Sequence, residues 1–326
     1  MLAPWGTARG PRPCRVLGTG SNTVHYDVLV IGGSGIDTIV QVDELKVPDS
    51  DSVGVPPIRD YVAHTGNGVA LGFHALGLRT QFIDYLGDDH LGRQILDRYV
   101  SVGLDFDHLP APAGTPRSVN LVDREGRRFS FYDGRHPEDL LMPMSFYGPH
   151  LDRARHVHLS RSHFNREIFG EAVRRGTPVS TDLHAWDGVD ASAEPWAYGA
   201  DFVFMSAATV KDRAPEVLRQ IMARGRARIA VATDGANGCH VLEREGAGEV
   251  RHFPAVRPER PVVDSNGAGD GFLTAFLYTL LAGGGTEDCV HAGAVSGAFA
   301  CTHHGTHEVQ IGREELARAT EHTLTV

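Results

Sequence analysis

The clearest chemical potential in this chain lies in the string Val262-Val263-Asp264-Ser265-Asn266-Gly267-Ala268-Gly269-Asp270-Gly271-Phe272, followed by an apolar run to Ala282. The order of residue types predicts a strand end, a glycine-rich turn and the start of a helix. Glycines permit close backbone approach to a ligand. The first N–H groups of a helix have no internal partner and lie at the positive end of its dipole. Gly267, Ala268 and Gly269 therefore predict an anion hole suited to a phosphate, with the Asp270 carboxylate beside it. An aspartate there is otherwise an ordinary helix cap.

Two other clusters invite chemical readings that their spacing does not support. Gly33-Ser34-Gly35 suggests a dinucleotide fingerprint, but the third glycine would fall at Thr38, and Ile36–Val42 is β-branched rather than helix-starting. Among 18 histidines, His156, His158 and His163 form one group and His303, His304 and His307 another. Neither has the H-E-x-x-H pattern or the accompanying cysteines of a zinc site, so most are read as strand, loop or surface residues.

The string from Asp264 to Phe272 closely resembles the C-terminal signature of the ribokinase-like (PfkB) family of sugar and nucleoside kinases, whose commonest form is D-T-x-G-A-G-D-x-F. Other segments match in order. His64-Thr65-Gly66-Asn67-Gly68-Val69-Ala70, then Leu76-Gly77, then Leu86-Gly87-Asp88-Asp89 and Leu91-Gly92, is similar to the family's N-terminal signature G-G-x-x-x-N-x-A, L-G, G-x-D-x-x-G. Thr65 replaces the first glycine, and Ala70 stands where the sugar-binding asparagine is usual. Thr233-Asp234-Gly235-Ala236-Asn237-Gly238 resembles the T-x-G-x-x-G nucleotide loop. The family's N-x-x-E element, which helps organise Mg2+ and phosphates, corresponds to Ser206-Ala207-Ala208-Thr209, where both functional side chains are gone. Thr181-Asp182-Leu183-His184-Ala185-Trp186 is only loosely similar to a D-x-N-x-R stretch of several sugar kinases.

The resemblance implies an ATP-dependent kinase that phosphorylates a primary hydroxyl of a sugar or nucleoside-like molecule. Asp37, after the first strand, matches an aspartate that binds substrate hydroxyls; a turn aspartate is the plainer reading. The acceptor would lie between Asp37, the loop of Thr65, Gly66, Asn67 and Gly68, and Asp270, with Asp182 facing the site. ATP would lie over Thr233, Gly235 and Gly238, with Asn266 and His304 toward the nucleotide. Asp270 would be the general base, and the N–H groups of Ala268, Gly269 and Asp270 would hold the phosphoryl group, with Mg2+ bridging the phosphates. A monovalent cation, K+, would sit near the carbonyls of Asp264, Asn266, Ala300 and Gly305. A nucleoside kinase, and a non-catalytic member that binds nucleotide or sugar, remain as alternative readings.

These residues need a scaffold, and the pattern supplies one. Short strand-like runs (26–31, Thr80–Leu86, 156–160, 178–182, 202–205, 228–233) alternate with helix-like ones (67–76, 92–102, 166–175, 215–224, 269–282, 286–302). That alternation predicts a three-layer α/β fold, a mostly parallel sheet with helices on both faces and ligands beyond the carboxyl ends of the strands. The runs at 118–122 and 127–132 around Asp123-Arg124-Glu125-Gly126 break the alternation and predict a hairpin, which Ile36–Asp43 joins. A small β lid from segments of about 36–60 and 117–133 follows; lids of this family often pair across a homodimer. Residues 25–320 form one kinase domain, and 1–24, with Arg9, Arg12 and Arg15 among Gly and Pro, form a disordered extension.

Composition limits the alternatives. The chain has 326 residues, 41% hydrophobic and 22% charged, enough for a sizeable core. Acids outnumber bases 41 to 31, for a net charge of −10, which argues against a general grip on nucleic acid or an anionic membrane. Lys46 and Lys211 are the only lysines; neither lies in a P-loop or a protein-kinase strand, and both lie in polar surroundings unsuited to a Schiff base. Cys14, Cys239, Cys289 and Cys301 form no C-x-x-C pair, as expected of a cytoplasmic protein.

Overall fold

Residues Val28 to Ile31 are all buried, a run apolar on both faces, as a central parallel strand requires. The computed structural model describes residues 26–47, 49–125, 127–245 and 248–323; the extension expected at 1–24 lies outside the described residues. In chain order the strands are β1 (Val28–Ile31), β2 (Gly35–Gln41), β3 (Arg59–Ala63), β4 (Thr80–Leu86), β5 (Asp105–Pro110), β6 (Arg117–Val122), β7 (Arg128–Asp133), β8 (Val157–Leu159), β9 (Val179–Asp182), β10 (Phe202–Ser206), β11 (Ile229–Thr233), β12 (Cys239–Glu243) and β13 (Val250–Phe253). The helices are α1 (Thr65–Ala75), α2 (His90–Val102), α3 (Met144–Leu151), α4 (Ile168–Arg175), α5 (Glu194–Gly199), α6 (Ala214–Arg224), α7 (Ala268–Leu281), α8 (Thr286–Ala300) and α9 (Arg313–Thr323).

The large sheet has the order β13-β12-β11-β10-β9-β8-β1-β4-β5. It is parallel from β11 to β5, with β12 and β13 added antiparallel. Alternation along β1 divides the core into two layers. Leu29 and Ile31 pack with Leu151, Phe169, Trp196 and Ile221 of α3 to α6. Val28 and Val30 face the other way, toward Phe73, Tyr99, Phe276 and Val290 of α1, α2, α7 and α8. This is the expected three-layer arrangement.

The lid is a separate sheet of order β3-β2-β6-β7. β2 runs parallel to β6, and the other two pairings are antiparallel. The hairpin turn is locked by Asp123, whose Oδ1 accepts from the N–H groups of Glu125 (3.0 Å) and Arg127 (2.9 Å). Asp37, Ser118 and Tyr132 stand in one cross-strand row.

One expectation fails. Val262 to Asp264 form no strand; Val262 and Val263 are exposed. Pro258 and Pro261 each lack the N–H a ladder needs. The segment is held instead by Cys301 at the end of α8, whose carbonyl accepts from the N–H groups of Val263 (2.9 Å) and Asp264 (3.3 Å). Among the described residues, no helix is long and apolar enough to cross a membrane.

Candidate active site

Gly267, with φ +76°, turns the chain into α7; a Cβ there would lie 2.2 Å from the Thr306 carbonyl oxygen. No side chain caps this helix. The Ala268 N–H has the Ser265 carbonyl at 3.4 Å. The expected hole of three N–H groups is therefore partly closed at Ala268 and rests chiefly on Gly269 and Asp270. Gly269 is exposed and open, with nothing within 4 Å of its Cβ position.

The Asp270 side chain is mostly covered, and its Oδ2 lies 2.7 Å from His307 Nε2. Asp182, the last residue of β9, shares the local field. Burial pushes its carboxyl up, the His184 imidazole opposes the shift, and the Asp270 charge adds to it. Asn266, expected toward the nucleotide, accepts at Oδ1 from Arg128 of β7, so the lid touches the residue that precedes the glycine turn.

Asp37 lies on β2 where lid meets body. His64 Nε2 is 3.5 Å from its Oδ1, and Thr306 Oγ1 donates to Oδ2 at 3.4 Å. Ser118 Oγ lies 3.3 Å from the same imidazole nitrogen, and the Tyr132 ring centroid 5.5 Å from the imidazole's. His64 adopts φ +72°, rare for a residue with a Cβ. Its ring occupies the space a Cβ at Gly35 would enter, 2.1 Å away, so Gly35 is needed for close approach. Burial pushes the His64 imidazole toward its neutral form against the pull of Asp37. Beneath this cluster, Asp84 Oδ2 accepts from Ser34 N (2.7 Å) and Oγ (2.6 Å), and Oδ1 from Tyr85 N (2.7 Å). These bonds fix the turn between β1 and β2. Burial outweighs them and pushes the Asp84 carboxyl up to about 7.

The segment 65–68 corrects a sequence expectation. It is the first turn of α1, not a loop. Thr65 begins the helix beside the site. Gly66 packs on the β1–β2 turn, where a Cβ would lie 1.8 Å from the Gly32 carbonyl oxygen. Asn67 is fully buried and points inward, with Nδ2 on the Val62 carbonyl (3.1 Å) and on His307 Nδ1 (3.1 Å). A Cβ on Gly68 would meet the His307 ring. Gly66 and Gly68 thus pack closely against Gly32 and His307, and the Asn67 side chain points into the interior.

On the nucleotide side, Thr233 ends β11, and its Oγ1 donates to the Met205 carbonyl at 3.3 Å. Gly235 and Gly238 take positive φ, +52° and +94°; at Gly238 a Cβ would sit 2.0 Å from the Phe253 carbonyl oxygen. His304 is exposed, whereas His303 packs on Phe299 with ring centroids 4.5 Å apart. At 206–209, Ser206 Oγ accepts from Ala208 N at 3.2 Å and no carboxylate is present, so this stretch does not fit a protein-ligated Mg2+. Among the described residues, no group of three His, Cys, Asp or Glu side chains could hold a metal. For a monovalent cation the carbonyl set is closer to fitting: Cys301 binds the 263–264 backbone, and Gly267 abuts Thr306, which gathers 264–267, 301 and 306 together. The Ala300 carbonyl already accepts from His303 N at 3.2 Å.

Sequence reasoning missed His64, Arg128 and His307. His307 has no pattern that separates it from its histidine neighbours; its partners are 240 and 37 residues away in sequence, so spacing carries no signal.

Residues 197–311 match the profile of the pfkB family carbohydrate kinases. The chain is 48% identical over 295 residues to acarbose 7(IV)-phosphotransferase of Actinoplanes sp. (strain ATCC 31044 / CBS 674.73 / SE50/110), covering 90% of this chain and 98% of that one. The solved structure of a microbiome-derived acarbose kinase, Mak1, is similar at TM-score 0.84 and 45% identity, over 91% of this chain and 99% of that one. Ribokinase of Arabidopsis thaliana, solved with ribose and ATP, shares the fold at TM-score 0.76 and 16% identity, over 91% and 99%.

Proposed function

Since the chain belongs to the pfkB family of carbohydrate kinases, we propose that it phosphorylates a primary hydroxyl of acarbose or a similar oligosaccharide-like acceptor. It is an ATP-dependent phosphotransferase whose acceptor is an alcohol group of a sugar or sugar-like small molecule. The observation that carries the finer reading is Asp270 in the first turn of α7, beside the open N–H groups and next to Asp182.

In this reading the acceptor lies under the lid, with two of its hydroxyls on Asp37 and its ring near Tyr132. Asp270 accepts the proton of the attacking hydroxyl, and the Gly269 and Asp270 N–H groups hold the transferring phosphoryl group. The Arg128 guanidinium, whose acceptor Asn266 is neutral, brings positive charge from the lid to the mouth of the hole. Thr233, Gly235 and Gly238 carry the nucleotide, with His304 at its rim. Mg2+ would enter with the nucleotide rather than on side chains of 206–209 and would supply charge neutralisation there, and the carbonyls of Asp264, Asn266 and Gly305 would hold K+. β7 is one of the two edges of the lid, with Phe129 and Phe131 exposed on it, which supports pairing of two lids in a homodimer.

The test is ADP release with acarbose, ribose, fructose, 2-keto-3-deoxygluconate, adenosine and cytidine. Acarbose is expected to be turned over best; preference for adenosine or cytidine would replace the sugar acceptor with a nucleoside. Asp270→Asn keeps a polar group at the helix start and removes the base, so kcat should fall about 100-fold or more. A variant within about threefold of wild type would remove Asp270 from the mechanism.

A further inference from the structure

We infer that His307 is a positioning residue that locks the Asp270 carboxylate for proton abstraction, with Asn67 fixing the imidazole in a single tautomer. The inference rests on the reading of Asp270 as the general base.

The hydrogen bonds leave one assignment. Asn67 Nδ2 contacts the Val62 carbonyl and His307 Nδ1, both at 3.1 Å. A carbonyl oxygen only accepts, so the Asn67 group facing it is the NH2, not the amide oxygen. That NH2 donates to His307 as well, so Nδ1 carries a lone pair and the proton is on Nε2. Nε2–H then donates to Asp270 Oδ2 at 2.7 Å. The chain Val62 carbonyl, Asn67 amide, imidazole and carboxylate thus has a fixed direction, ending on the group that must be an anion to act as a base.

Packing holds the ring to this role. His307 is 3% exposed. It lies between Gly68, where a Cβ would approach Nε2 to 2.2 Å, and Gly267, where one would approach Cδ2 to 3.1 Å. Both glycines belong to the two motifs that carry the family resemblance, and here they make room for a side chain from neither. With Oδ2 held, Asp270 Oδ1 is left to take the hydroxyl proton. No proton passes to the imidazole, because Nε2 already carries one and Nδ1 is occupied by Asn67.

The closing experiment compares His307→Leu, His307→Gln and Asp270→Asn, alone and combined, by ADP release with acarbose and ATP, and reads the ring by nitrogen NMR of histidine-labelled wild type. Glutamine can present an N–H to Asp270 and an oxygen to Asn67, whereas leucine can do neither. We expect His307→Leu to lower kcat by about 10- to 100-fold with KM changed less than about threefold, as loss of orientation does. His307→Gln should stay within about fivefold of wild type, and in the Asp270→Asn background His307→Leu should add less than about twofold. The NMR, which does not depend on turnover, should show the His307 signal (identified by its loss in His307→Gln) as the neutral Nε2–H tautomer.

Equal damage by glutamine and leucine, an undiminished leucine effect without Asp270, or an Nδ1–H tautomer would overturn the inference. If Asp270→Asn is inactive and His307→Leu is not, the inference falls alone. If Asp270→Asn keeps its rate, the base reading falls first.

Discussion

His158 on β8, between β9 and β1 in the large sheet, and His156 just before that strand should make this enzyme acid-labile, and the size of the effect follows from their burial. His156 and His158 have no exposed surface. They share one hydroxyl, Ser180 Oγ, at 2.8 Å and 3.0 Å, which leaves His156 Nδ1 and His158 Nε2 without a partner. Burial pushes both imidazoles down to about 3. In the unfolded chain each binds a proton near pH ~6.5, while the folded chain does not until the pH is far lower. The unfolded state therefore holds more protons, and stability falls as pH falls below that value. At about pH 5 each histidine should have removed about 2 kcal/mol, about 4 kcal/mol together, against a total of ~5–15 kcal/mol for a typical domain. Burial also lowers His64, His108 and His150, which act in the same direction, whereas the buried Asp84 carboxyl, pushed up to about 7, acts in the opposite one. The assay is urea unfolding followed by circular dichroism at about pH 7.5 and about pH 5, on wild type and on His156→Leu/His158→Leu. The double variant should lose about 4 kcal/mol less than wild type over this interval, because Asp84 and Asp182 contribute equally to both. An equal loss in the double variant would refute the reasoning. The result bears on function too, since an acid limb in activity caused by unfolding would vary with urea concentration and one caused by the chemistry would not.

Two further substitutions test other parts of the site. Gly66→Ala would gain up to ~1 kcal/mol from helix propensity, but its Cβ would lie 1.8 Å from the Gly32 carbonyl oxygen; the clash should win and cost ~1–3 kcal/mol, read as a lowered Tm. Arg128→Ala removes an exposed side chain, so the Tm should hold, while kcat should fall about tenfold or more if its charge serves the phosphoryl group; an unchanged kcat would confine Arg128 to the lid contact.

Much of the fold could be read from the sequence because its elements obey local rules. β4 was bounded correctly at Thr80 and Leu86, and β2, β6 and β7 formed the expected small sheet. The elements that were not anticipated lack such signals. β5 is an edge strand with polar residues on both faces, and α3 contains Pro149 in its interior. β3, β12 and β13 are short, and their place is set by partners across the sheet. The false strand at Val262 and Val263 shows the reverse error: two β-branched residues suggest a strand, but the flanking Pro261 and the Cys301 carbonyl decide the backbone instead.

The site divides along the same line. Asp270 and its glycines were legible because an anion hole is made by consecutive residues, and consecutive residues are what a sequence displays. Asp37 was legible only through family resemblance, since one aspartate after a strand has no pattern of its own. His64, Arg128 and His307 act across the fold, and each owes its position to a residue that looks unrelated. His64 fits because position 35 is glycine, and His307 because positions 68 and 267 are. The departures at the N-terminal signature have a physical account in these terms. Ala70 removes the usual amide, while Asn67, three residues earlier, supplies one that points into the interior and grips His307 rather than a sugar. On the proposed reading, direct recognition of the acceptor falls to Asp37, His64, Ser118 and Tyr132, three of them on the lid. Because the lid also carries the Arg128 that contacts Asn266, that reading ties acceptor binding to charge stabilisation through one small sheet.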